Sequence, residues 1–506
     1  MIKPINRKSI IKNQRKAGVL LHISSLPSGD FGRDALQFID FLTEIGASVW
    51  QTLPLNMPHH DKSPYQCLSA HAGNPAFICL QSMANNLLFL DQIHHVDVAN
   101  YKASPTLEHK QQLLAQAYLR LAQHPQSASF FAFKKFCRKH AHWLNHFAYF
   151  LVLRQLFNQT SWNTWPKAYK KPSVQTLNVL KKQHAVTIQS IKYTQFVFFT
   201  QWLALKKYAN QKGIAMFGDI PIFVAFDSAD VWANPALFKL DAHCNMKVVA
   251  GVPPDYFSSS GQRWGNPHYN WRAMKKDGFK WWLARMNTQH NLFDMVRIDH
   301  FRGLEAAWEI PATSETAIMG AWQLAPGDAL LKAIKSRFNK MIIVAEDLGI
   351  ITPEVNALRL KYQLPGMKIL QFAFGNTDDN LYLPQNIEPA SVVYTGTHDN
   401  DTSLGWYESL DAHAKNHLHQ VLNTQTPNMP HALINMALHT AAELVIIPMQ
   451  DILALNGAHR MNLPGTIGQN WTWQFNWPQL YDASKGTLVA LIKTGILESK
   501  RAAVWH

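Results

Sequence analysis

The stretch Met295-Val296-Arg297-Ile298-Asp299 is a short apolar run that ends in an acidic residue. Three further runs have this form: Ile342 to Ala345 before Glu346, Val392 to His398 before Asp399, and Ile214 to Gly218 before Asp219. Brief apolar or β-branched runs between longer helical patterns are typical of buried parallel strands. In a parallel α/β barrel the carboxyl ends of the strands converge on one face, where chemistry takes place. The pattern therefore predicts a pocket in which several carboxylates meet.

The start of the chain favours the same architecture. Residues 17–23 and 48–55 have strand patterns, and residues 34–45 between them place apolar side chains at helical spacing. Such a βαβ opening indicates a parallel sheet. We therefore predict an α/β fold, a (β/α)₈ TIM barrel with inserted mainly helical subdomains, in which residues 17–79 and 193–506 form the barrel and its active-site loops.

The segment 80–192 differs from the rest of the chain. It contains successive helical stretches, 111–123 and 130–157, with no clear strand between them, which predicts a helical insertion. A helix over 195–210 should then lead into the strand before Asp219, with strand and helix alternating to the C-terminus. Residues 1–16 carry six basic side chains and no acid, and are predicted to be a basic N-terminal arm.

Composition limits the classes of function. The chain has 506 residues, of which 47% are hydrophobic and 16% charged, so it can bury a large core. It has no apolar run near the roughly 20 residues needed to cross a bilayer, and no signal-peptide pattern. Its four cysteines lack CxxC spacing. We expect a cytoplasmic enzyme without metal or cofactor and without a membrane partner.

The net charge of +14 raises the question of nucleic-acid binding. The lysines are spread along the whole chain, without a block of five like charges, so we expect no nucleic-acid partner. A basic nucleic-acid-binding protein remains a remote alternative, which a gel shift at two salt concentrations would test. The oligomeric state is not indicated by the sequence.

The repeated acids suggest glycoside chemistry. Two carboxylates on either side of a glycosidic bond are the usual equipment for its cleavage, one of them attacking the sugar carbon and the other protonating the leaving oxygen. In the retaining version they lie about 5–5.5 Å apart, which places them on neighbouring strand ends. Asp299, Glu346 and Asp399 follow one another at roughly the spacing of one elaborated βα unit, which on its own is weak evidence.

The residues around these acids are more specific. Segments 297–303 (RIDHFRG), 345–349 (AEDLG) and 397–401 (THDND) resemble the nucleophile, acid/base and third-carboxylate segments of the α-amylase clan. The chain most resembles the amylomaltase or disproportionating-enzyme family, the 4-α-glucanotransferases. Further segments match in family order between about residues 17 and 473, namely 63–66, 72–75, 218–224, 227–232, 251–257, 261–267 and 460–466.

This resemblance implies roles for the catalytic residues. Asp299 would be the nucleophile, kept anionic by Arg297 because a nearby positive charge lowers the pKa of a carboxylate. Glu346 would be the acid and then the base, since burial raises its pKa. Asp399 and His398 would bind sugar hydroxyls, with Asp399 helping to distort the ring. For Arg297 and Asp299 the competing interpretation is a buried structural ion pair. For His398 it is a core position.

The resemblance also implies substrate contacts and a lid. The residues expected to bind substrate, besides His398 and Arg297, are Tyr65 as an acceptor-side stacking residue, Asp219 in the donor subsite, Trp264, His300 and Asn462. The proline- and glycine-containing segment 251–265 has the composition of a mobile loop. Its lid residues would be Tyr256, Phe257, Ser258, Ser259 and Ser260, while core packing is the alternative for Trp264. Segments 25–32 and 56–61 depart from the family pattern on the acceptor side.

The leading hypothesis is a 4-α-glucanotransferase that acts on malto-oligosaccharides and α-1,4-glucans through a covalent glucosyl-enzyme. A retaining α-glucan hydrolase is the alternative enzyme. A catalytically idle glucan-binding protein is the alternative from another class, and it would be expected to lack one of the three carboxylates. All three are present.

Overall fold

The strands lie in two sheets of a computed structural model that describes residues 15–84, 106–254, 258–374, 379–466, 468–481 and 483–501. In chain order they are β1 (Lys16–Leu20), β2 (Val49–Gln51), β3 (Ala215–Pro221), β4 (Val248–Val252), β5 (Gln262–Pro267), β6 (Met295–Asp299), β7 (Ala306–Pro311), β8 (Ala321–Leu324), β9 (Ile342–Ala345), β10 (Gly366–Ile369), β11 (Ser391–Tyr394) and β12 (Leu444–Pro448).

Helices account for most of the remaining regular structure. They are α1 (Arg33–Glu44), α2 (Leu80–Ala84), α3 (Leu107–Ala122), α4 (Ala128–Lys139), α5 (Ala141–Leu156), α6 (Lys167–Lys170), α7 (Val174–Gln183), α8 (Ala185–Gln211), α9 (Ala229–Ala233), α10 (Trp271–Lys276), α11 (Lys280–Leu292), α12 (Gly327–Arg337), α13 (Pro353–Lys361), α14 (Ser403–Ser409), α15 (Ala412–Leu422), α16 (His431–His439), α17 (Met449–Ile452), α18 (Trp477–Tyr481) and α19 (Ala483–Glu498).

Eight of the strands form a parallel sheet in the order β10-β11-β12-β1-β2-β3-β6-β9. The two end strands approach each other, and the amide of Ala345 donates a hydrogen bond of 2.9 Å to the carbonyl of Pro365. The sheet thus curves almost into a closed barrel. The predicted (β/α)₈ class is confirmed.

The barrel strands are mainly apolar because both of their faces are buried. In β12, Leu444 and Ile446 join one cluster of buried side chains with Val49, whereas Val445 and Ile447 join a second, larger cluster. Successive side chains point to opposite faces of a strand, so the first cluster fills the barrel and the second lies between barrel and helices. Continuous apolar runs are the sequence signature of such strands.

The barrel strands are shorter than the sequence patterns suggested. β1 ends at Leu20 and β2 spans Val49–Gln51, against predictions of 17–23 and 48–55. The residues that follow each strand, 21–23 and 52–55, are also buried, but they lie outside the regular strands. An apolar pattern therefore continues past the point where the strand ends.

The predicted alternation of parallel strands and helices after Asp219 is wrong for part of the chain. Strands β5, β4, β7 and β8 form a separate antiparallel sheet in that order. The connection 253–261 between β4 and β5 is too short for the crossover that a parallel pair needs, so the two strands form a hairpin. This sheet stands beside the carboxyl ends of the barrel strands, since β7 begins seven residues after Asp299.

The predicted insertion 80–192 is mainly helical where the structure describes it, over residues 80–84 and 106–192. The stretch predicted as one helix over 130–157 is two helices, α4 and α5, which meet at His140. The helix predicted over 195–210 is part of the longer α8, which is continuous across residues 192 and 193. The aromatic rings of Phe133 and Tyr193 pack α4 against α8. Treating 80–192 as a separate subdomain remains a prediction.

Residues 1–14 of the predicted basic arm lie outside the described residues. Of its last two residues, Arg15 donates a hydrogen bond of 3.0 Å to the carbonyl of Leu438, and Lys16 begins β1. Within the described parts of the chain, no helix is long and apolar enough to span a membrane.

Candidate active site

The four acids identified in the sequence lie at the carboxyl rim of the barrel. Asp299 is the last residue of β6, Glu346 directly follows β9, and Asp219 lies inside β3. Asp399 was expected at the end of a strand, but β11 stops at Tyr394 and a turn carries Asp399 beyond it. The turn forms because Asn400 accepts hydrogen bonds from the amide and hydroxyl of Thr397.

Arg297 connects two of these carboxylates. Its Nη1 donates to Asp219 Oδ2 at 2.5 Å, and its Nη2 donates to Asp299 Oδ1 at 2.7 Å. Arg297 and Asp299 are two residues apart on β6 and so share one face, while Asp219 is the register partner of Arg297 on β3. The guanidinium is almost fully buried, so both of its ion pairs are shielded from water and are strengthened by the low local dielectric.

The Glu346 carboxylate is held by the turn that follows Asp299. The amide of His300 donates to Glu346 Oε2 at 2.6 Å, and the amide of Leu348 donates to Oε1 at 3.0 Å. His300 has a left-handed backbone conformation, with φ of 54°, an arrangement that non-glycine residues adopt rarely. The segment 297–300 therefore binds the Asp299 side chain at one end and the Glu346 side chain at the other.

The two neighbouring carboxyl groups differ in acidity. Burial raises the pKa of Asp299 to about 6, although the positive charge of Arg297 opposes this shift. Burial also raises the pKa of Glu346, to about 8, against the opposing effect of Arg297 and with a contribution from the negative charge of Asp299. At neutral pH one group is mainly ionised and its neighbour mainly protonated, which is the pairing required of a nucleophile and a general acid.

Asp399 lies opposite this pair with its side chain about half exposed. Asn462 donates to its Oδ1 at 2.6 Å, and His398 Nε2 lies 3.3 Å from its Oδ2. Burial favours the neutral form of Asp399, but His398 and the amide of Asn462 outweigh it and hold the pKa of this carboxyl below its usual range. Asp399 is an anion with one edge open to the cleft.

Tyr65 joins the groups on both sides of the cleft. Its hydroxyl donates to Asp219 Oδ2 at 2.8 Å and lies 2.8 Å from His398 Nε2. Its ring is stacked on the His398 ring with centroids 5.2 Å apart. Trp471, which the sequence did not identify as a site residue, lies 5.9 Å from both rings. Tyr65 therefore contacts Asp219 and His398 directly, and its role in stacking on an acceptor sugar stays a prediction.

Trp264 and His300 form a second wall. The two rings meet edge to face with centroids 4.8 Å apart. Trp264 is half-buried and also packs against the large core cluster, so its position fits both alternatives considered for it. The buried Nε2 of His300 has no hydrogen-bond partner among the residues that the structure describes. Burial lowers the pKa of His300 to about 3, so the ring is neutral.

The segment expected to be a mobile loop is largely a β-hairpin. Residues 251–252 belong to β4 and 262–267 to β5. Tyr256 and Phe257 lie outside the described residues. Ser258 donates through its hydroxyl to the carbonyl of Gly261, and the carbonyl of Ser260 accepts a bond from the amide of Ala317. The first bond closes the hairpin tip, and the second ties the tip to the connection between β7 and β8.

Sequence reasoning did not assign a role to Arg460. It lies in the quoted segment 460–466, and its Nη2 donates to the backbone carbonyl of Asp399 at 3.0 Å. The signal that could have found it is its position two residues before Asn462, in a segment that the resemblance had already associated with the site.

A parallel barrel with an ionised carboxylate, a protonated carboxyl and a third carboxylate at its carboxyl rim belongs to the class of glycoside-processing barrel enzymes. Comparison with known proteins gives the family. The model of the family described as 4-alpha-glucanotransferase, glycoside hydrolase family 77, matches residues 21–480. The chain belongs to this 4-alpha-glucanotransferase family.

Individual relatives agree with the family match. The chain is 42% identical to a 4-alpha-glucanotransferase of Thermus thermophilus over 91% of its own length and 94% of the relative. It is 43% identical to a 4-alpha-glucanotransferase of Synechocystis, over 94% of its own length and 97% of that relative. Among solved structures, an amylomaltase from Streptococcus agalactiae in complex with acarbose superposes with a TM-score of 0.89 at 34% identity, covering 97% of this chain and all of that one.

Proposed function

We propose that this protein transfers segments of α-1,4-glucan from a malto-oligosaccharide donor to the 4-hydroxyl of a glucan or glucose acceptor, with retention of configuration. One observation carries the proposal: the segment 297–300 holds both the Asp299 carboxylate, through Arg297, and the Glu346 carboxylate, through the amide of His300. A nucleophile and a proton donor are thus fixed beside each other at one rim, as double displacement requires.

In the first step, an Asp299 oxygen attacks the anomeric carbon of the donor sugar. The bond from that carbon to the leaving glycosidic oxygen breaks, and Glu346 gives its proton to the leaving oxygen. The hydrogen bond from Arg297 Nη2 keeps Asp299 oriented, and the positive charge of the guanidinium favours the ionised form of Asp299. The burial that raises the pKa of Glu346 keeps the proton available near neutral pH.

In the second step, the ionised Glu346 takes the proton from the 4-hydroxyl of the acceptor. The acceptor oxygen attacks the anomeric carbon, and the ester bond to Asp299 breaks. The two amides that bind Glu346 stabilise its anionic form, which allows the same group to act in turn as acid and as base. No cofactor is needed, because every proton and electron pair returns to its starting position.

Substrate hydroxyls have matching groups around the pair. The open edge of Asp399 can accept hydrogen bonds from two neighbouring hydroxyls, and such bonds strengthen as the ring acquires oxocarbenium character. Trp264, which packs edge to face against His300, and Tyr65 offer ring surfaces to the sugar. These roles, with that of Asn462 in orienting Asp399, are part of the proposal.

We also propose a cytoplasmic location, which the four free cysteines support, because thiols stay reduced in that compartment.

The proposal predicts a bell-shaped dependence of kcat/KM on pH. Activity should rise with pH through about 6 as Asp299 loses its proton, and fall through about 8 as Glu346 loses its own. The two limbs belong to the coupled pair. Initial rates of glucose release from maltotriose between pH 4 and pH 10 would show them, and a profile flat across that range would contradict the paired roles.

Transfer should outcompete hydrolysis, which separates this proposal from the hydrolase alternative. Both reactions share the covalent intermediate and differ only in the second attacking oxygen. An oriented acceptor hydroxyl can reach an effective molarity of about 10⁵ M or more, so a bound glucan can prevail over water. With maltotriose as the sole substrate, longer chains and glucose should accumulate while the number of reducing ends barely increases. A steady rise in reducing ends would identify a hydrolase.

The hairpin tip offers a variant for the same assay. Deleting Ser258–Ser260 removes the bond between the Ser260 carbonyl and the Ala317 amide, so the tip would lose its attachment to the neighbouring connection. We expect a larger share of hydrolysis in the products, because a loosened tip excludes water less well. An unchanged ratio of transfer to hydrolysis would exclude residues 258–260 from that role.

A further inference from the structure

The turn that carries His398 and Asp399 is anchored at its base by Asp451. This buried carboxylate accepts hydrogen bonds from the hydroxyl of Thr395 at 2.6 Å and from the amide and hydroxyl of Ser403 at 2.8 and 2.6 Å. Thr395 and Ser403 are thereby held to α17 through Asp451. Asp399, in the middle of the turn, is four residues from either anchor and has an exposed side chain. The anchoring at Asp451 therefore does not by itself determine the position of Asp399.

Arg460 contacts this turn near its tip. Its Nη2 donates to the Asp399 carbonyl at 3.0 Å, and its Nη1 lies 3.7 Å from Asp401 Oδ2. Its Nε donates, at 3.4 Å, to the carbonyl of Asn462. Asn462 in turn donates to the Asp399 side chain. One guanidinium therefore connects the backbone of Asp399 to the backbone of the residue that orients its carboxylate.

We propose that Arg460 is a positioning residue that acts through Asp399: it sets the distance between the 397–401 turn and the 460–462 segment, so that the carboxylate points into the cleft. This inference rests on the proposed role of Asp399. Arginine suits the task because its planar fork donates in several fixed directions at once, whereas lysine presents a single flexible ammonium group. The side chain of Arg460 is three-quarters buried, which restricts its movement.

The expected consequence concerns the transition state more than substrate affinity. Hydrogen bonds from sugar hydroxyls to Asp399 strengthen as the oxocarbenium character develops, and a misplacement of about 1 Å can cost about 10²-fold in rate. Arg460→Lys retains the positive charge but removes the fork. We expect kcat to fall by about 10- to 100-fold with KM changed much less. Arg272→Lys on α10, an exposed arginine, is the matched control and should match the wild type.

A double-mutant cycle distinguishes positioning of Asp399 from a general structural effect. Rates with an activated glucosyl fluoride donor would be measured for Arg460→Lys, Asp399→Asn and the double variant. If Arg460 acts through Asp399, its substitution should cost little once Asp399 is changed. Equal costs of Arg460→Lys in both backgrounds would overturn the proposal. A fully active Asp399→Asn enzyme would instead contradict the proposed role of Asp399 itself, and with it this inference.

Chemical rescue distinguishes a positioning role of Arg460 from an effect on folding alone. Arg460→Ala should recover part of its lost kcat when guanidinium ion is added at low millimolar concentration, while its melting temperature stays close to that of the wild type. Arg272→Ala should show no response to the ion. A lowered melting temperature without any recovery would show that Arg460 only stabilises the fold, and would overturn the proposal.

Discussion

Asp299→Asn should reduce the rate of transfer from maltotriose by at least about 10³-fold. When catalytic residues act as a unit, the loss of one removes most of the rate acceleration that the unit provides. An amide oxygen is a poor nucleophile and cannot form the ester intermediate. The fold should survive, since asparagine has the same shape and its Oδ1 can still accept the hydrogen bond from Arg297. That guanidinium also keeps its bond to Asp219, so its buried charge stays paired.

The measurement is the initial rate of glucose release, with circular dichroism and a melting curve to verify folding. Asp40→Asn is the matched control: Asp40 is exposed on α1 and pairs with Lys212 at the surface, where an ion pair contributes little. The control should match the wild type in rate. If Asp299→Asn kept more than a few per cent of the activity while the control behaved as expected, the nucleophile would have to be a different residue.

Glu346→Gln should reduce transfer between unactivated glucans by about 10²- to 10⁴-fold, the usual range for a general acid–base group. Glutamine cannot protonate the leaving oxygen, but Asp299 can still attack. A donor with a good leaving group, such as an α-glucosyl fluoride, needs no such proton and should form the covalent intermediate. Without a base to activate the acceptor, that intermediate should accumulate.

Mass spectrometry of the digested protein should then find one added glucosyl group, on Asp299. Glu354→Gln, an exposed change at the start of α13, should show normal transfer and no trapped sugar. Label on a residue other than Asp299 would refute the paired roles. With maltotriose as the donor, loss of the alkaline limb from the pH profile of the residual Glu346→Gln activity would add independent support.

The same substitution should affect stability in a direction that the pKa fixes. The folded-state pKa of Glu346 is about 8, above its ordinary value of 4.5, so the folded state binds the proton more tightly than the unfolded state. The free energy of unfolding therefore falls as pH rises from about 4.5 to about 8. Glutamine has no proton to lose, and we expect Glu346→Gln to melt at a higher temperature than the wild type at pH 8.

Much of the architecture could be predicted from local patterns. A strand with both faces buried is mainly apolar, so the runs before Asp299 and Glu346 were recognisable and indicated a parallel sheet. The same reasoning failed for β4, β5, β7 and β8, because a short apolar run does not show whether its neighbour lies parallel or antiparallel. It also failed for the turn carrying Asp399, because the largely buried residues 395–398 follow the apolar run without continuing the strand.

By itself the sequence determined the chemical groups: an arginine two residues before Asp299, an acid in or shortly after several apolar runs, and the motifs that indicate the family. Spacing of two along a strand places side chains on one face whatever the rest of the fold does, which is why the pairing of Arg297 with Asp299 could be expected.

Only the tertiary structure decided which distant groups meet. The register of β3 against β6 brings Asp219 to Arg297, and the left-handed turn at His300 directs its amide to Glu346. Tyr65, His398 and Asn462 come from segments more than 60 residues apart, yet they converge on two carboxylates. Such contacts, and the burial that separates the pKa values of Asp299 and Glu346, depend on closure of the whole barrel, because desolvation is a property of the surroundings and not of the residue.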